Sequence, residues 1–102
     1  MRIDVVGKNL EVTDAIQNYA VAKADKLTKY LDLVQQITVT LTGANSHGSG
    51  EFGIEFVVDV EKHDDFVARV SDKDLYAGID RAMEKSERQL RDFKEVLKLG
   101  KH

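Results

Sequence analysis

The sequence predicts an α+β fold of order β-α-β-β-β-α, a four-stranded sheet with both helices packed on one face. Three observations predict it. Apolar and polar residues alternate with a period of two from Gln36 to Thr42 and again from Glu51 to Val60. Apolar residues recur at helical spacing in two longer segments, one after Thr13 and one from Asp74 onward. Polar or glycine-bearing stretches separate these segments, and no proline interrupts any of them.

Each element has its own justification. From Met1 to Val6, Ile3 and Val5 point one way and Arg2 and Asp4 the other, which makes a short strand ended by Gly7 and a polar Lys8-Asn9 loop. Thr13 is an N-cap and Asp14 favours the first turn, so a helix starts here and carries Ile16, Ala20, Ala24, Leu27 and Leu31 on one stripe to about Tyr30. In the second strand Ile37, Val39 and Leu41 face in, while Thr38, Thr40 and Thr42 face water. GANSHGSG, residues 43–50, is a loop that contains His47. Phe52, Ile54, Phe56, Val58 and Val60 form the inner face of the third strand, with Glu55 and Asp59 outside. A charged turn, Glu61 to Asp65, leads to a last strand with Phe66, Ala68 and Val70 inside and Arg69 outside. Ser71 or Asp72 is the expected cap of the final helix, whose stripe of Leu75, Ile79, Met83, Leu90, Phe93 and Leu97 must be buried. The last three strands suit an antiparallel meander, and the helical crossover lets the first two run parallel.

A chain of 102 residues corresponds to one domain, 1–102, able to bury about two-thirds of its unfolded surface. With 42% hydrophobic and 32% charged residues it is globular in composition, and its lack of Cys excludes disulfides and thiolate metal sites. No apolar run approaches the ~18 residues of a membrane span, and the N-terminus has no secretory pattern, so the expectation is a cytoplasmic protein without a membrane partner. Net charge is −3, which argues against indiscriminate nucleic-acid binding. The charge is unevenly spread: residues 1–35 are neutral, 36–73 carry −4 and 74–102 carry +1.

Nothing in the pattern supports catalysis. His47, His63 and His102 lack a nucleophile or carboxylate at catalytic spacing, and the glycine loop lacks the Lys and strand-to-helix setting of a phosphate loop. Glu61, His63, Asp64 and Asp65 read as a solvated turn, so no metal, cofactor or small-molecule substrate is expected. The basic residues are the better lead. Arg81, Lys85 and Arg88 stack on one face of the last helix, roughly opposite its apolar stripe, with Arg91, Lys94 and Lys98 on a flanking strip. Lys23, Lys26 and Lys29 follow one side of the first helix, and Lys8 precedes it. Side-by-side helices would merge these into one patch for RNA phosphates. The same residues also suit a solvated helix face, because acids interleave at Asp80, Glu84, Glu87, Asp92 and Glu95 and Glu84 can pair with Arg88. The stacked like charges of Arg81 and Lys85 favour a polyanionic partner.

Two blocks carry a family resemblance. GKNLEVTDAIQNYAVAKADKLTKYLD (7–32) and DLYAGIDRAMEKSERQLRDFKEVL (74–97) resemble the opening and closing segments of the ribosome hibernation promoting factor family, also called ribosome-associated inhibitor A or sigma-54 modulation protein. The resemblance implies the same β-α-β-β-β-α fold. It also implies binding to small-subunit rRNA near the decoding centre, blocking the mRNA and tRNA channel by occlusion in stress or stationary phase. By position it implies rRNA contacts for Lys85 and Arg88, for Lys23 and Lys26, and for Lys8, and it assigns Tyr76 and Ile79 to the core. Asp92 stands where members often carry another basic residue, with Arg91 and Lys94 beside it as substitutes. The expected contact set is therefore Lys8, Lys23, Lys26, Arg81, Lys85, Arg88, Arg91 and Lys94. Ending at His102, the chain resembles the short form, for which ribosome dimers would need a further factor. The acidic outer sheet face at Glu55 and Asp59 leaves a second possibility, a diverged protein-interaction module of the same fold.

Overall fold

The computed structural model describes residues 1–46 and 48–100; His47 and His102, two of the histidines weighed above, lie outside the described residues. The elements follow the order β1 (Arg2–Lys8), α1 (Asp14–Tyr30), β2 (Val34–Thr42), β3 (Phe52–Val60), β4 (Phe66–Asp72) and α2 (Leu75–Leu99). The sheet is ordered β1-β2-β3-β4. β1 pairs parallel to β2, with Ile3 opposite Ile37 and Lys8 opposite Thr42, while β2–β3 and β3–β4 are antiparallel. α1 packs on β1 and β2, α2 on β3 and β4, and the helices touch each other, so both cover one face.

The alternation predicted for the strands places the core. Ile37, Val39, Leu41, Ile54, Phe56, Val58, Val60 and Ala68 are buried beneath Ala20, Ala24 and Leu27 of α1 and Leu75, Ile79, Ala82, Met83 and Leu90 of α2. Burying each large side chain contributes roughly 1.5–3 kcal/mol. Thr13 caps α1: its Oγ1 accepts from the Ile16 N–H at 3.3 Å. Gly43 passes against the backbone carbonyl of Asn9, leaving no room for a Cβ. Asn9 itself has φ 54°, a left-handed conformation that Asn tolerates.

Several expectations are corrected. The cap of α2 is Asp74, not Ser71 or Asp72: its carboxylate accepts from the Tyr76 and Ala77 N–H groups at 3.0 and 3.2 Å. Asp72 instead accepts from the Asp74 N–H at 2.9 Å, closing the turn ahead of the cap, and Ser71 remains in β4. β1 continues through Lys8, so that residue ends a strand and does not lie in a loop. Leu97 is 41% exposed, because α2 outruns the sheet. Its 25 residues span about 37 Å at ~1.5 Å per residue, against roughly 30 Å for the longest strands. Tyr76 is 39% exposed and not a core residue, whereas Ile79 is fully buried.

Candidate nucleic-acid interface

Most of the cationic residues gather in two places, with Lys8 on the open sheet face and Arg91 on the outer surface of α2. Arg81 and Lys85 do not stand opposite the apolar stripe. They leave α2 on the side of β4 and reach its free edge. Arg81 Nη1 donates to the Ser71 carbonyl at 3.1 Å and meets the Asp72 carboxylate at 3.2 Å. Lys85 Nζ donates to the Arg69 carbonyl at 3.2 Å, and Gln89 Nε2 to the Val67 carbonyl at 2.9 Å. Asp72 is held below its ordinary carboxylate range, first by the Asp74 N–H and then by Arg81.

A groove of about 380 Å³ runs between α2 and β4, lined by Arg69, Val70, Arg81, Glu84, Lys85 and Arg88. Four cations and one carboxylate line it in a chain whose net charge is −3, and two of those cations, Arg81 and Arg69, also pair with Asp72 and Glu55. Among the described residues the expected Glu84–Arg88 ion pair does not form, and Arg88 has no ion-pair partner. Arg69 was absent from the contact set read in the sequence. Its Nε donates to Glu55 at 2.7 Å across the open face of the sheet, which neutralises half of the acidic pair noted there. A shallow depression on that open face brings Lys8 together with Thr40, Thr42, Glu55, Arg69 and Ser71, so Arg69 borders both sites. The sequence signal for it was Arg69 on the wet face of the last strand, three residues before the strand's end.

The other lysines sit along the seam between the helices. Asp80 of α2 accepts from the Tyr19 hydroxyl at 2.7 Å and pairs with Lys23 at 3.2 Å. These bonds, Tyr19 ahead of Lys23, lower the Asp80 pKa and raise those of Tyr19 and Lys23. Lys26 is exposed on the same seam and adds to the field at Asp80. Tyr76 meets Tyr19 edge-on with ring centroids 4.8 Å apart. Farther along, Lys94 donates to the Tyr30 carbonyl at 3.3 Å and lies over its ring, while Arg91 is exposed on the outer surface of α2. Lys23 and Lys94 are thus engaged in helix-to-helix contacts, and Arg69, Arg81, Lys85 and Arg88 are gathered at the groove.

His63 stacks on Phe66 with centroids 4.5 Å apart and also meets Phe93. Among the described residues no group of three or more His, Asp or Glu side chains is placed to hold a metal ion, and no helix is long and apolar enough to cross a membrane.

The architecture and the groove define a helix-on-sheet α+β protein with a cationic cleft along one sheet edge. The chain belongs to the family described as Sigma 54 modulation protein / S30EA ribosomal protein, which it matches over residues 3–98. It is 32% identical over 98 residues to the ribosome hibernation promoting factor of Escherichia coli K12, covering 96% of this chain and 98% of that one. It is 35% identical over 94 residues to the ribosome hibernation promotion factor of Staphylococcus aureus, covering 92% of this chain but 48% of the relative. Among solved structures, the N-terminal domain of Thermus thermophilus Protein Y superposes with a TM-score of 0.77 at 35% identity, covering 91% of this chain and 99% of that one. A ribosomal subunit interface protein from Coxiella burnetii has the same fold, with a TM-score of 0.78 at 19% identity over 93% of this chain and 99% of that one.

Proposed function

We propose that this protein is a ribosome-associated hibernation factor that acts in the cytoplasm as a single domain, residues 1–102. It binds small-subunit rRNA near the decoding centre and blocks the mRNA and tRNA channel by occupying it, with no catalytic step. The observation that carries this reading is the α2–β4 groove, where Arg69, Arg81, Lys85 and Arg88 converge on a protein of net charge −3. Local concentration of positive charge on an acidic chain suits one defined polyanion better than nucleic acid at large. Membership of the family and the names of its relatives support the ribosome as that polyanion's source.

Lys8, exposed beside Arg69, extends the contact surface onto the open sheet face. Lys26, Arg91 and Lys94 extend it across the helices, and Lys23 contributes with the part of its charge that Asp80 leaves available. The test is co-sedimentation with purified small subunits at two salt concentrations. Lys85→Glu/Arg88→Glu abolishes binding while the thermal midpoint, which controls for the loss of the Lys85 bond to β4, stays within several degrees. Unchanged binding by a folded double variant would refute the groove.

A further inference from the structure

We infer that the backbone of β4 is the second wall of the phosphate site: the N–H groups of Val67, Arg69 and Ser71 donate to successive phosphates of an RNA strand lying between β4 and α2. This rests on the RNA reading above and specifies how the strand is held.

In an antiparallel pair, residues alternate between those whose N–H and C=O both face the partner strand and those whose two groups both face away. The carbonyls of Val67, Arg69 and Ser71 accept from α2 and so face away from β3. The N–H groups of the same three residues therefore point out of the same edge. A free edge of this kind offers donors and acceptors in alternation and is a template for another strand. Here the acceptors are taken. Arg81, Lys85 and Gln89 are spaced i, i+4, i+8 along α2 and meet carbonyls two residues apart along β4, running in the opposite direction. The register holds because four helical residues rise about 6 Å and two strand residues about 7 Å.

Covering every outward carbonyl leaves an edge that presents donors only. A peptide strand needs acceptors as well as donors and would lose half its bonds there. The phosphates of an RNA strand supply acceptors only, together with negative charge. Its complement is a row of N–H groups flanked by Arg69, Arg81, Lys85 and Arg88, with Lys85 and Arg88 free of ion pairs among the described residues while Arg81 pairs with Asp72 and Arg69 with Glu55.

Proline is the substitution that removes an N–H, and an outward-facing N–H on an edge strand is where a sheet tolerates it. Val67→Pro and Ser71→Pro are each expected to weaken binding to purified small subunits roughly tenfold. The salt dependence should stay as in wild type, because no charge is lost. Ser71→Ala, which keeps the N–H and loses the hydroxyl, should bind like wild type. Amide spectra of the isotope-labelled wild-type protein titrated with a short single-stranded RNA provide a reading that needs no substitution. The Val67, Arg69 and Ser71 N–H signals should move, and those of Phe66, Ala68 and Val70 should not.

Folded proline variants that bind like wild type would overturn the inference while leaving the groove's charges, and the proposed function, in place. Should the prolines unfold the chain, the alternating amide shifts decide; uniform shifts along β4, or none, would overturn it. Failure of the wild-type protein to bind small subunits at low salt would overturn both readings together.

Discussion

Tyr19→Phe removes one hydroxyl and nothing else from the seam between the helices. The ring stays against Tyr76, and Lys23 still pairs with Asp80. What is lost is the 2.7 Å bond from the Tyr19 hydroxyl to the Asp80 carboxylate, a part-buried contact between residues 61 apart in sequence. A hydrogen bond to a charged acceptor contributes about 1.5–3 kcal/mol, and the Asp80 side chain is 39% exposed, so the lower end applies. A loss of about 1.5 kcal/mol lowers the thermal midpoint of a domain this size by roughly 6–12 °C. The effect depends on pH in a defined sense. The Asp80 pKa is depressed in the folded protein. Its contribution is therefore present above the unfolded aspartate value of about 3.9 and is lost as pH falls through the lower folded value. Melting followed by circular dichroism at pH 7 and near pH 3 should show a wider gap between wild type and variant at pH 7 than at pH 3. A midpoint within 2 °C of wild type at pH 7, or an equal gap at both pH values, would refute the reasoning.

Other substitutions probe other parts of the molecule. Ser86 is fully buried in α2 with its hydroxyl unpaired among the described residues, so Ser86→Ala should stabilise the protein by about 1 kcal/mol in denaturant titration; destabilisation would mean that the hydroxyl has a partner. Gly43→Ala drives a Cβ into the Asn9 carbonyl and should cost more than about 1 kcal/mol, whereas Gly48→Ala meets no atom among the described residues and loses only the ease of its left-handed φ of 71°. Leu90→Ala should cost about 2–5 kcal/mol, but Leu97→Lys less than about 0.5 kcal/mol, although one helical stripe contains both. Equal costs would show that the end of α2 is covered in solution.

Much of this fold was legible because its signals are local. The alternation in β2 and β3 and the Thr13 cap each depend on neighbours within a few residues, and all three appear where the pattern put them. The features that were misread depend on distant parts of the chain. Leu97 has the periodicity of a core residue, but the sheet ends before it does. Asp72 has the composition of a cap, but it still belongs to the strand and the cap falls two residues later, at Asp74. The family resemblance put Tyr76 in the core, but it lies at the rim, edge-on to Tyr19.

The candidate interface was legible as charge but not as geometry. Spacing placed Arg81, Lys85 and Arg88 on one side of α2. It could not show that β4 lies under that side, or that Lys85 bonds to the Arg69 carbonyl 16 residues away. The spacing of Arg81, Lys85 and Gln89 at every fourth position was visible throughout. Its meaning depends on a strand edge whose position only the tertiary structure supplies. Lys23 and Lys94 matched the same basic pattern, yet packing gave them partners at Asp80 and Tyr30.

The central claim is that the α2–β4 groove binds small-subunit RNA through its cations. The most direct measurement is the affinity of wild-type protein and of Arg88→Glu for purified small subunits as a function of salt. Arg88 makes no hydrogen bond or ion pair among the described residues, so its reversal leaves the fold alone. The four groove cations alone should make log K fall against log salt with a slope on the order of −3, a loss of roughly 60-fold between 50 and 200 mM, and the contacts outside the groove should steepen it. Arg88→Glu should weaken binding about tenfold or more and flatten the slope by about one. Wild-type affinity with an unchanged slope in the variant would contradict the groove as the site of binding.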